Sequence, residues 1–99
     1  MSLLKWLENW YSDKCNCEWE HHCGIIIETF DGPGWSVKID LKGTPLEAKI
    51  FGEVEFVRSE NDWMDCKVED GVFQGHGGPA NLEEILYVFY RWASQCEEN

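Results

Sequence analysis

Residues 24–41 read GIIIETFDGPGWSVKIDL. Ile25, Ile26 and Ile27 begin a β-branched run, and Asp31-Gly32-Pro33-Gly34 is dense in turn residues. Trp35, Val37, Ile39 and Leu41 then alternate with Ser36, Lys38 and Asp40. The pattern predicts a β-hairpin with one dry face, because residues two apart share a face of a sheet. The Trp35 set points inward and the Ser36 set points to water. A one-sided sheet needs a cover, and helical periodicity occurs only at the two ends of the chain.

Upstream, Leu3, Leu7, Trp10 and Tyr11 fall at i, i+4, i+7 and i+8 and predict a helix over about residues 3–13, with Ser2 as its cap and Trp6 broadening the apolar face. Residues 12–23, SDKCNCEWEHHC, have no periodicity and read as a loop. Downstream of the hairpin, Gly43 and Pro45 mark a loop before a third strand at 50–58, with Gly52, Val54 and Phe56 inward and Phe51, Glu53, Glu55 and Val57 outward. After the turn Ser59-Glu60-Asn61-Asp62, a fourth strand at 63–69 puts Met64, Cys66 and Val68 inside and Trp63, Asp65, Lys67 and Glu69 outside. Asp70-Gly71 closes a tight hairpin into Val72, Phe73 and Gln74. Gly75-His76-Gly77-Gly78-Pro79 reads as an irregular loop leading to a second helix. There Asn81 and Glu84 have capping-box spacing, and Leu82, Ile85, Leu86, Phe89, Trp92, Ala93 and Cys96 form a stripe.

The fold class that follows is α+β: one domain over residues 1–99, an antiparallel sheet of about five strands with the N-terminal and C-terminal helices packed on one face. The other face is left to solvent. Its expected side chains include Asp40, Glu53, Glu55, Asp65 and Glu69 against Lys38 and Lys67, with Phe51 and Trp63 among them. Acidic charge around aromatic rings suits protein recognition, since rings carry contact energy and charge sets encounter rate.

Composition points the same way. Eight Lys and Arg against nineteen Asp and Glu give a formal charge of −11. Such a surface repels nucleic acid and anionic membrane and attracts a basic protein. Five cysteines are an odd number, no export signal begins the chain, and no apolar run could span a bilayer, so reduced thiols in the cytoplasm are expected.

Chemistry-bearing clusters give less. Cys15, Cys17, His21, His22 and Cys23 offer zinc-ligand types within nine residues, but Cys15-x-Cys17 is tighter than the usual ligand pair, and a loop with ordinary free thiols and one buried histidine is the favoured reading. Cys66 and Cys96 fall on inward positions, as small hydrophobes do. The residues after Cys66, Lys67-Val68-Glu69-Asp70-Gly71, are acidic where an anion cradle wants positive charge. Gly75-His76-Gly77-Gly78 has no accompanying G-x-S-x-G or P-loop lysine. No catalytic residue, metal or cofactor is expected. The alternative is a small Cys/His metal-binding or thiol enzyme module using residues 15–23.

Several motifs together are familiar: Trp6-Leu7, Trp10-Tyr11, Trp19-Glu20-His21, Pro33-Gly34-Trp35-Ser36-Val37, Asn61-Asp62-Trp63, and Gly77-Gly78-Pro79 with Asn81-Leu82-Glu83-Glu84-Ile85. The set resembles the Imm53 family of bacterial immunity proteins and spans nearly the whole chain. The resemblance implies a cytoplasmic protein that protects its producer by binding and blocking a cognate polymorphic toxin, often a nuclease. It brings no catalytic residues, and Cys15, Cys17, His22 and Cys23 lie outside its pattern. Trp19, Glu20, Glu53, Glu55, Trp63 and Asp65 are the expected partner-binding residues, and the expected partner is a basic toxin domain.

Overall fold

The computed structural model describes residues 2–14 and 24–97. Helix α1 (Leu3–Lys14) starts where Ser2 supplies a cap, its Oγ accepting the Lys5 N–H at 3.2 Å. Five strands follow: β1 (Ile25–Phe30), β2 (Gly34–Asp40), β3 (Val54–Ser59), β4 (Asp62–Glu69) and β5 (Val72–Gly77). Helix α2 (Leu82–Glu97) ends the described chain. The α+β class expected from the pattern is the one observed.

All pairings are antiparallel, in the order β1-β2-β5-β4-β3. The β1–β2 hairpin turns through Asp31-Gly32-Pro33-Gly34, where the Gly32–Pro33 peptide is cis, and sets Ile25 opposite Ile39 and Ile27 opposite Val37. Asp70 and Gly71 take positive φ in the β4–β5 turn, as a two-residue hairpin of this kind requires. Register carries Val37, Gly75 and Cys66 into one row and Ile39, Phe73 and Val68 into another, all on the face the helices cover.

The core sits on that face. Val37, Ile39, Leu41, Cys66, Phe73, Ile85 and Phe89 are fully buried, and Leu7 and Trp10 from α1 join the same cluster. Phe89 is its hub, edge-on or tilted against Trp6, Trp10, Phe73 and Trp92 with ring centroids 5.1–6.3 Å apart. Helix α2 lies on β5 and β4, and α1 packs mainly on α2, so both helices occupy one side of the sheet.

Two sequence expectations change here. The third strand begins at Val54 rather than Ile50. Phe51, expected to face solvent, turns into the core edge-on to Phe73 and Trp92, at 5.6 and 5.1 Å. Trp92 fixes the approach to β3: its Nε1–H donates to the Ile50 carbonyl at 3.0 Å, and Lys49 Nζ donates to the Trp92 carbonyl at 2.8 Å. Val54 and Phe56 do point inward and pack on the core.

Gly75, His76 and Gly77 are not a loop. They complete β5, and the glycines on its inner face make room for α2: a Cβ on Gly75 would fall on the Ile85 Cγ2 methyl, and one on Gly77 would lie 3.0 Å from Asn81 Cβ and 3.1 Å from Ile85 Cδ1. The cap of α2 also differs from the expected capping box. Asn81 Nδ2 donates to Glu84 Oε1 at 2.7 Å, while the Asn81 backbone N–H donates to the Gly78 carbonyl. Cys96, expected on the inward stripe, falls in α2 outside the described side chains.

Candidate functional site

Register fixes what stands on the helix-free face. One row runs Glu28, Ser36, His76, Asp65, Glu55 across all five strands. The next row toward the β1–β2 turn contains Phe30 opposite Gly34, and Trp63 opposite Val57. On the other side stand Ile26, Lys38, Gln74 and Lys67, then Asp40, Val72 and Glu69.

The aromatic row closes on itself. The Phe30 ring lies over the turn glycines, since a Cβ on Gly32 would meet its Cε2 and one on Gly34 its Cζ, both at 2.5 Å. From there it reaches the Trp63 ring at 6.3 Å and the His76 ring at 6.4 Å. All three rings are half-buried, so each keeps an accessible edge or face on the open side of the sheet.

The acidic row is not compensated. Asp65 has Glu55 directly across the strand pair, an arrangement of like charges that costs stability. Neither these carboxylates nor Glu28 pairs with a cation among the described residues. Of the cations on this face, Lys67 pairs with Glu69 at 3.3 Å and Lys38 stands one row away opposite Gln74, while Arg58 pairs on the helix side with Asp62 at 2.8 Å and Glu84 at 2.9 Å. Ser36 sits mid-row, only 8% exposed.

Arg58 and its partners form a second polar cluster on the helix side. Asn81 Nδ2 donates to both Asp62 Oδ1 (2.9 Å) and Glu84, so Arg58, Asp62, Asn81 and Glu84 tie the β3–β4 hairpin to the start of α2. The hydrogen bond from Arg58, reinforced by the one from Asn81, holds the Asp62 carboxyl below its ordinary range.

Catalytic geometry is poorly served by the described residues. The Cys66 thiol is fully buried, and desolvation with the neighbouring Asp65 charge pushes its pKa up to about 12, which suppresses the thiolate a nucleophile needs. Among the described residues no group of three His, Cys, Asp or Glu could hold a metal ion. A groove of about 430 Å³ on the helix side is lined by Leu3, Met64, Tyr87, Val88 and the carboxylates Glu83 and Glu84. No described helix is long and apolar enough to cross a membrane.

Of the residues expected to bind a partner, Glu55, Trp63 and Asp65 come together on the open face. Glu53 does not: it precedes β3 in irregular chain, exposed but off the sheet. Trp19 and Glu20, with the cysteines and histidines of residues 15–23, lie outside the described residues. Phe30, Glu28 and His76 were not expected there, whereas Ser36 was read as facing away from the core. Glu28 and Phe30 follow from parity once Ile25 and Ile27 are assigned inward, whereas His76 was hidden by the glycines beside it.

No curated protein and no solved structure matches the chain. A family model described as immunity protein 53 matches residues 4–94, which takes in all five strands and nearly all of both helices. The chain therefore belongs to the Imm53 family of immunity proteins.

Proposed function

We propose that this protein neutralises a cognate polymorphic toxin in the bacterial cytoplasm by laying the open face of its sheet on a basic surface of the toxin, in the manner of a nucleic-acid mimic. The observation that carries the reading is the row Glu28, Asp65 and Glu55, set beside Trp63 and Phe30 and without a cation among the described residues. A family of immunity proteins implies a toxin as partner, and a chain of charge −11 fits one that is positively charged. A nuclease is the natural case, because an enzyme acting on a polyanion presents a basic cleft that carboxylates can fill.

The mode of action is binding rather than turnover. Encounter is driven by the summed charge, and lifetime by the rings, which lose water on contact. The test is co-expression with the toxin encoded beside this gene. Growth should be rescued and the two proteins should co-purify, whereas the Glu55→Lys/Asp65→Lys variant, folded by circular dichroism, should fail at both. Full rescue by that variant would place the toxin-binding surface elsewhere.

A further inference from the structure

The aromatic and acidic rows of the open face meet in one place. Trp63 and Asp65 are two residues apart on β4, so their side chains leave the same face about 7 Å apart along the strand. Asp65 is flanked in its row by Glu55 on one side and His76 on the other, and Phe30 closes against both Trp63 and His76. Ser36, 8% exposed, lies one strand farther on, beyond His76 and away from the two carboxylates. The site thus combines aromatic rings with two carboxylates at cross-strand distance.

We infer that this junction is an arginine-reading slot, in which one arginine of the toxin is seated against the Trp63 ring with its guanidinium directed to Asp65 and Glu55; the inference rests on the toxin-capture reading and specifies its anchor. Two features choose arginine over lysine. A guanidinium is planar and weakly hydrated, so it stacks on an indole face where an ammonium keeps its water. It carries five N–H donors in a plane, which suits two neighbouring carboxylates at once, whereas an ammonium presents three donors from a single point. The Glu55–Asp65 pair is also repulsive in the free protein, and a cation bridging both relieves the repulsion. Lys38 stands on the neighbouring row opposite Gln74, out of register with Asp65.

The test uses ¹⁵N-labelled full chain titrated with L-argininamide and, separately, with L-lysinamide at matched ionic strength. Argininamide should give saturating shifts of the Trp63 indole and His76 ring signals, with about fivefold tighter binding than lysinamide. Trp63→Ala should abolish the preference. Trp63→Phe, which keeps a ring for packing, should weaken it, and Asp65→Asn should reduce affinity for both probes. Equal response to the two probes, or shifts spread over the acidic surface without focus on Trp63, would overturn the slot. That outcome is distinguishable from failure of toxin capture, which the co-expression test reads through rescue and co-purification without reference to arginine.

Discussion

Gly75 is the residue on which the seating of α2 depends most closely. Its φ is ordinary, so its missing side chain matters for space and not for backbone freedom: the Ile85 Cγ2 methyl occupies the place a Cβ would take. Gly75→Ala should therefore destabilise the fold by about 2 kcal/mol through overpacking. Ile85→Leu, which removes the branch at Cβ, should recover part of that loss in the double variant. Urea unfolding of the two single variants and the double would measure the coupling; strictly additive losses would show that the two residues do not compete for the same space. The cysteine at the neighbouring register position follows the same logic, since burial makes Cys66 a small hydrophobe, as its inward strand position predicted.

At the scale of elements, the β3–β4 hairpin is tied to the start of α2 by polar contacts in addition to the apolar packing of Met64 and Phe56 on the core. Arg58 is shared between Asp62 and Glu84 and its guanidinium lies 4.3 Å from the Phe56 ring centroid. Because the folded state depresses the Asp62 pKa below its ordinary 3.8, the contribution of this carboxylate is present above that value and lost as pH falls through the lower folded one. The parent protein should accordingly lose more stability than Asp62→Asn between about pH 4 and pH 3. Superimposable urea midpoints for the two proteins across that range would contradict the tie. Elements also show what the sequence could and could not reveal. Strict alternation exposed β2 and β4 completely, with Val37, Ile39, Met64 and Cys66 inward as read. β5 was cut short because Gly75 and Gly77 look like loop residues until the helix resting on them is known. The start of β3 was misplaced because Phe51 continues the alternation of β3 while its ring is drawn the other way by Phe73 and Trp92. Both errors come from tertiary contacts, about which local pattern is silent.

The molecule as a whole divides its work between two faces. One face of the sheet takes the helices and the aromatic core around Phe89, and the other displays charge whose self-repulsion is tolerated because the core is dense. The acidic character of the open face was legible in sequence through Glu55, Trp63 and Asp65. Its centre was not, because His76 sits in a stretch that read as a loop, and the β1–β2 side chains come near Asp65 only through the strand order, with β5 inserted between β2 and β4. The central claim is that this face captures a basic toxin by steering followed by aromatic anchoring. The most direct measurement is association and dissociation kinetics of the purified pair over a salt series, with Glu55→Lys/Asp65→Lys and Trp63→Ala as folded variants. The account predicts association that is fast at low salt and slows steeply as salt screens the charges, charge reversal acting chiefly on the on-rate, and Trp63→Ala raising the off-rate at a cost of about 2 kcal/mol or more. Salt-independent association, with full affinity kept by both variants, would contradict it.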